Sequence, residues 1–487
     1  MSDVCPESAI EDFLQRFGET GKLCVAVSGG SDSLALLHLL HHHLGTRHSK
    51  RLTAVTVDHG LRAASAGEAE AVAQFCRSRG IDHRTMTWVG PKPANGLQDA
   101  ARNARYELLC EAARSLGAKA IVTAHSRDDQ IETFAMRQAR VPGPETGPET
   151  GPETGPEIGP EIGKAAAKGA GRGLAGMAEA VLYRRQCWIL RPLLRVSRAA
   201  LRSRLAAASI AWSDDPSNVD RRFERVRIRM RDHDVQADEQ MLQTMAARGE
   251  VRRRQAETLA RFLRGNVVIH GDMIAQLPLA LSAHCDDLQR AIGLLAALLG
   301  GRAYLPGASA RDQIARLVSG AGPARINLSR CVIDRRAKGI FLYREMRALP
   351  TLQVAPDCQA LWDERYCITN RHPSLPLVVG PFARNQHPSR SELIENLPAE
   401  LPRGVVSRAI KAQPAILAGH DGMSTGQLCQ GIKSSDELSL LRYFAHFDLF
   451  LPEFECNVAN ICATLFGLPP YPQSPLSMNR HEKWQTN

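Results

Sequence analysis

No C-x-x-C pair occurs in this sequence, although it holds 12 cysteines. Zinc ribbons, thioredoxin-like redox pairs and most cysteine-ligated iron–sulfur clusters need that spacing. The scattered thiols therefore read as free and buried in a reducing compartment. No apolar run approaches the roughly 18–20 residues of a membrane span. The opening stretch, Met1-Ser2-Asp3-Val4-Cys5-Pro6, has no positive leader before an apolar run. These absences set the expectation of a soluble, cytoplasmic protein without a membrane partner. Aromatic residues are sparse, at 5%. A G-x-x-x-x-G-K-[ST] phosphate loop is missing too: Gly21-Lys22 runs into Leu23, and Arg16 stands where the first glycine belongs.

What is present is enough apolar sequence, 44%, to build real cores, over 487 residues that suggest two to four domains. The net charge of +10 suits a polyanionic partner without proving one. The most informative stretch is Leu23-Cys24-Val25-Ala26-Val27 followed by Ser28-Gly29-Gly30-Ser31-Asp32-Ser33. The apolar run reads as a buried strand. Leu36, Leu37, Leu40 and Leu44 then recur at helical spacing, with Gly45 as a stop. Two glycines at a helix mouth let backbone amides approach a phosphate chain, and three hydroxyls add donors. Asp32 is out of place in an anion site unless a cation such as Mg²⁺ bridges the phosphates. The loop resembles the pyrophosphate-binding loop of ATP pyrophosphatases, which split ATP between the α and β phosphates.

Further strands are expected at 52–57, 84–88, 119–124 and 187–190, alternating with helices at 8–20, 67–79, 97–112, after Ser126 and from the Ser197 cap to about 208. This alternation predicts an α/β fold with a doubly wound, mainly parallel sheet of Rossmann-like type and its site above the first strand, at the switch point. Asp58 and His59 end the second strand and read either as ligands or as turn residues. Arg102, Arg105 and Tyr106 share one helix face, either solvated or turned to a phosphate. His125, Asp129 and Glu132 follow the fourth strand. Ser126 and Asp129 have the spacing of a helix cap, while the two carboxylates can equally hold Mg²⁺ or an ammonium group. Arg222, Arg225 and Arg229 share a dense basic face that reads either as an RNA or phosphate contact or as a solvated helix surface.

Residues 143–163 repeat G-P-E-T and G-P-E-I. Gly and Pro in every copy exclude a helix or a sheet ladder, so 141–171 is expected to be a disordered insertion. The second half is quieter. Helices are expected at 241–263 and at 288–299 before Gly300-Gly301, with a strand at 340–345 and another beginning at Trp362. Loops and a frayed tail are expected toward the end.

Taken together, S-G-G-S-D-S at 28–33, V-D-H-G-L-R at 57–62, A-R-N-A-R-Y at 101–106, A-H-S-R-D-D-Q-I-E-T at 124–133, G-L-A-G-M at 173–177, R-P-L-L at 191–194, and D-D-P-S-N-x-D with the following R-x-x-x-R at 214–229 resemble the bacterial tRNA(Ile)-lysidine synthetases over about residues 20–231. The resemblance implies a ligase of adenine nucleotide alpha hydrolase type. Such enzymes join L-lysine to C2 of the first anticodon cytidine, position 34, of tRNA(Ile) bearing CAU, consuming ATP and releasing AMP and pyrophosphate. Decoding then changes from AUG to AUA.

It further implies that Ser28, Gly29, Gly30, Ser31, Asp32 and Ser33 bind ATP, with Asp32 toward Mg²⁺. His125, Asp129, Glu132, Arg102 and Arg105 become catalytic or substrate-binding, and Arg222, Arg225 and Arg229 contact tRNA. Residues 1–231 would be the catalytic domain, 232–350 a helix-rich linking region for tRNA, and 351–487 a smaller C-terminal α+β region that also holds it. The oligomeric state stays open. A small-molecule amide synthetase would bring a glutaminase nucleophile, and a tRNA thiolase a poised cysteine pair. A degenerate nucleotide binder would have lost Asp32 or the Asp129/Glu132 pair.

Overall fold

The structure, a computed structural model, describes residues 4–18, 21–61, 65–93, 95–139, 172–213, 224–229, 235–281, 286–382, 394–395, 397–418 and 438–476. The repeat at 143–163 and Arg222 lie outside the described residues. The chain forms two compact units: Met1–Arg253 with Phe450–Phe454 and Pro472–Asn487, and Arg254–Leu449 with Glu455–Tyr471.

In the first unit, α1 (Pro6–Phe17) precedes β1 (Leu23–Ala26), whose Leu23, Cys24 and Val25 are fully buried. α2 (Ser31–His48) buries Leu34 through Leu37, Leu39 and Leu40, and it is broken at Gly45, where φ is +61°. The glycine expected to stop the helix does interrupt it, because a left-handed φ costs glycine little. There follow β2 (Leu52–Asp58), α3 (Ser65–Arg77), β3 (Asp82–Thr87), α4 (Leu97–Ser115), β4 (Ala120–Val122), α5 (Arg127–Gln138), β5 (Ala180–Tyr183), β6 (Cys187–Leu190), α6 (Arg198–Ala207) and α7 (Glu224–Arg229). Ser197 caps α6, its Oγ accepting from the Ala200 N–H at 3.2 Å.

The sheet has seven strands in the order β3-β2-β1-β4-β6-β5 and then Phe450–Pro452. β3, β2, β1, β4 and β6 run parallel. β5 is antiparallel to β6, and Phe450–Pro452 is antiparallel to β5. The fold is thus the expected doubly wound, mainly parallel α/β sheet. β1 lies between β2 and β4, so the chain reverses its direction of travel there, and the carboxyl ends of β1 and β4 open the crevice where such sheets bind ligands. Two of its strands were not anticipated: β5, and the segment at 450–452 that returns from far along the chain.

The second unit is rich in strands. Its five-stranded antiparallel sheet comprises Val268–His270, Ile274–Leu277, Gly339–Arg344, Cys331–Arg336 and Ala324–Leu328. The helix Asp286–Gly300 packs on it with an almost wholly buried apolar face. Two three-stranded sheets follow. The strand expected to begin at Trp362 is instead the end of one strand, Cys358–Trp362, and the start of the next, Tyr366–Asn370. Asp363 and Glu364 sit at φ of +54° and +57° and make the tight turn between them.

Candidate active site

The site is assembled from the carboxyl ends of β1 and β4 and the helices that start there. After β1 the backbone turns at Gly29, with φ of +84°. A Cβ on Gly30 would meet only Ser28 Oγ at 3.7 Å and the Ser213 carbonyl oxygen at 4.0 Å, so that face of the loop is open to a ligand. Ser33 Oγ donates to the Gly30 carbonyl at 2.9 Å and accepts from the Ser28 N–H at 3.2 Å. The loop is therefore braced by its own hydroxyl while α2 points its free N-terminal amides outward.

After β4, His125 Nδ1 lies 2.9 Å from Thr123 Oγ1. Burial, followed by the charges of Arg191, Arg102, Arg225 and Arg105, holds the imidazole well below its ordinary pKa. At neutral pH it is uncharged, and burial together with the nearby guanidiniums resists its protonation. Asp129 closes the cap of α5, its Oδ2 accepting from the Ser126 N–H at 2.8 Å and from Ser126 Oγ at 3.1 Å. Its other oxygen faces Arg198 at 3.3 Å and pairs with Arg225. One oxygen of Asp129 thus serves the cap, while the other is engaged by arginines.

Glu132, one turn on, is 2% exposed. It accepts from Arg225 Nε at 2.6 Å, Arg229 Nε at 2.9 Å and Arg198 Nη1 at 3.3 Å. Burial alone would raise its pKa, but these guanidiniums reverse the shift and hold it below the usual carboxylate value. Arg198 also reaches Asp32 Oδ2 at 3.2 Å, and its own backbone N–H bonds Asp128 Oδ2 at 2.7 Å. Asp32 shifts the other way: burial raises its pKa, Asp129 adds repulsion, and Arg198 offsets only part. That carboxylate is left short of positive charge.

Asp32, His125, Asp129, Arg198 and Arg225 line one cavity of about 380 Å³, together with Arg102, Arg105, Tyr106, Arg202, Ser213 and Arg229, while Glu132 is buried behind its arginine partners. Arg102 and Arg105 line the cavity and remain solvent-exposed, with the Arg102 guanidinium 5.2 Å from the Tyr106 ring centre. Asp58 takes the turn role, accepting from the Gly60 N–H at 2.8 Å and Ser65 Oγ at 2.7 Å. His59 Nε2 lies 3.4 Å from Arg105 Nε. Two site arginines escaped the sequence reading. Arg198 bridges three carboxylates, and Arg202 Nε donates to Ser31 Oγ at 3.3 Å. Their signal was the i, i+4 spacing directly after the Ser197 cap, at a helix start facing the sheet edge.

A PP-loop domain model matches residues 5–147 and 165–234. A tRNA(Ile)-lysidine synthase of Rhizobium meliloti (strain 1021) is 39% identical over 470 residues, covering 96% of this chain and 96% of that protein. The chain belongs to the tRNA(Ile)-lysidine synthase family. A second tRNA(Ile)-lysidine synthase, from Mesorhizobium japonicum, is 40% identical over 93% of each chain. A third, from Brucella canis, is 37% identical over 92% of this chain and 95% of its own. The PP-loop domain of this tRNA(Ile)-lysidine synthase family member forms only the N-terminal part, and the likeness to its relatives continues through the strand-rich second half. Among the described residues no helix is long and apolar enough to cross a membrane.

Proposed function

We propose that this chain ligates L-lysine to C2 of the cytidine at position 34 of a tRNA(Ile) with a CAU anticodon, using ATP and releasing pyrophosphate and AMP in the cytoplasm. The observation that carries the reading is that one cavity is lined by an anion-binding loop, two arginines on α4, an uncharged imidazole and the carboxylates of Asp32 and Asp129. A two-step adenylation and amine transfer needs all four.

Ser28 to Ser33 bind the phosphate chain. The cytidine O2 attacks the α-phosphorus, the bond to the β-phosphate oxygen breaks, and pyrophosphate leaves. The lysine ε-amine then attacks the activated C2, the C2–O bond breaks, and AMP leaves. Asp129 and Glu132 bind the ammonium form of lysine. His125, neutral at working pH, offers the neutral amine a hydrogen-bond partner beside the site. Arg102 and Arg105 contact phosphate or the target nucleotide, and Arg225 and Arg229 lie where RNA and the carboxylate pair meet.

The donor set also fits Mg²⁺. Asp32 is a single carboxylate short of positive charge beside an anion loop, and Mg²⁺ is commonly held by one or two carboxylates plus substrate phosphates. Asp32 would hold it, and the ion would neutralise charge on the phosphate chain. Residues 232–487 are assigned to holding the tRNA.

The test uses the full chain with ATP, Mg²⁺ and labelled lysine, offered tRNA(Ile) bearing CAU and elongator tRNA(Met) as control. Label entering only the first RNA, with AMP and pyrophosphate produced, is expected. Pyrophosphate exchange without label transfer would overturn the choice of nucleophile and acceptor.

A further inference from the structure

β5 is Ala180-Val181-Leu182-Tyr183, buried along its whole length. An apolar strand of this kind at a sheet edge is open to unwanted pairing. The segment Phe450-Leu451-Pro452 covers it, with Phe450 opposite Tyr183, Leu451 opposite Leu182 and Pro452 opposite Val181. Proline suits an outer strand because it has no N–H to leave unpaired.

Side chains alternate along a strand, so Leu451 and Phe450 face opposite sides of the sheet. Leu451 is fully buried on one side. On the other, the Phe450 ring lies 5.0 Å from Tyr183 and 5.6 Å from Tyr106, edge to face with the latter at 78°. Tyr183 and Tyr106 are themselves 5.6 Å apart. Tyr106 is 3% exposed and lines the active-site cavity. Its ring is therefore held by two aromatic rings and by the Arg102 guanidinium at 5.2 Å. Arg102 lies one helical turn before Tyr106, and Arg105 is its immediate neighbour. All three line the cavity.

We propose that Phe450 is a positioning residue of the active site: its ring backs Tyr106, and Tyr106 holds the Arg102 and Arg105 face of α4 toward the cavity. Phe450 touches no reacting atom and carries no proton, so its contribution is to geometry alone. Misplacement of a reacting or stabilising group by about 1 Å costs up to a hundredfold in rate. The proposal rests on the reading of Arg102 and Arg105 as phosphate or nucleotide contacts.

The experiment compares full-length F450A, F450Y and L451A. L451A weakens the same strand from its other face and leaves the Phe450 ring in place, so it separates lost stability from lost positioning. F450A is expected to lower kcat for lysine transfer about tenfold with the KM for ATP within twofold. F450Y, which keeps a ring, is expected to restore at least a third of the rate. L451A is expected to lower Tm as much as F450A while keeping most of kcat. Paired with Arg102→Ala, F450A is expected to be less than additive in kcat.

Equal loss of kcat in L451A and F450A, or full additivity with Arg102→Ala, would overturn the proposal. A readout independent of turnover keeps it apart from the functional reading. The rate of phenylglyoxal modification of Arg102, followed by mass spectrometry, is expected to change in F450A and to stay unchanged in L451A. Unchanged modification in both overturns the positioning role even where no lysine is transferred.

Discussion

Arg198 Nε stands 3.2 Å from Asp32 Oδ2 and so ties the phosphate loop to the helix that carries the carboxylate pair. The same guanidinium reaches Asp129 and Glu132, both at 3.3 Å. Burial opposes its charge, but the surrounding carboxylates, Asp129 first, more than reverse that and hold Arg198 firmly protonated.

Arg198→Gln is expected to lower kcat/KM for lysine transfer about a hundredfold, the scale on which a preorganised donor in a closed site contributes. Arg198→Lys is expected to recover only part, because an ammonium keeps the charge without the planar fork that meets three carboxylates at once. Steady-state kinetics of the three proteins check this. A loss under threefold in Arg198→Gln would make the bridge a structural detail.

Asp32→Ala is expected to abolish pyrophosphate release while leaving the fold intact. Burial and the neighbouring Asp129 raise the pKa of Asp32 above its ordinary value. The folded state thus holds this carboxylate ionised at a cost to stability above its ordinary pKa, and removing it relieves repulsion. Circular dichroism should match the unsubstituted chain, and Tm should be equal or higher. Undiminished pyrophosphate release would remove Asp32 from the chemistry.

His59 carries a pH prediction. Burial, then the charge of Arg105, pushes its imidazole down to about 4. In the unfolded chain it titrates near 6.5. Between those values the unfolded chain binds a proton that the folded chain refuses, so the stabilising contribution is complete above pH 6.5 and is lost as pH falls toward about 4. Tm measured between pH 6.5 and 4.5 is expected to fall less steeply in His59→Gln than in the unsubstituted chain. Parallel slopes would contradict the depressed value.

Gly300→Ala is expected to destabilise the second unit strongly. A Cβ there would sit 1.7 Å from the Ser329 carbonyl oxygen, and its nearest neighbours are all backbone atoms of Ser329 and Arg330, which cannot swing aside as a flexible side chain could. Overpacking of this kind costs about 1–3 kcal/mol or more. Thermal unfolding reads it directly, and a Tm within 1 °C of the unsubstituted chain, well inside the few degrees per kcal/mol typical of such domains, would count against it.

Much of the site was legible because its signals are local. Gly29-Gly30 between a strand and a helix, the Ser197 cap, Gly45 and the i, i+3, i+4 spacing of Arg102, Arg105 and Tyr106 each depend on residues a turn or less apart. The misses share the opposite property. β5 is buried on both faces, so it has no alternation to read. Residues 450–452 form a strand only because β5 pairs with them. Asp363-Glu364-Arg365 lack the glycine that usually marks a tight hairpin loop, and Asp363 is instead fixed by Arg344 at 2.9 Å and by Arg365. The partners of Arg198 come from 66 to 166 positions away, beyond any local pattern.

The returning strand also bears on synthesis. β5 ends at residue 183 and its cover begins at 450, a gap of 267 positions (450 − 183). At about 5–20 residues per second, the nascent chain carries β5 as a bare apolar edge for roughly 13–53 s on the ribosome. The catalytic sheet is closed only after the strand-rich second unit has largely been made. A ribosome that stalls in the second half therefore leaves a sheet with a sticky margin and an unbacked Tyr106, a natural substrate for chaperones rather than a prematurely active enzyme.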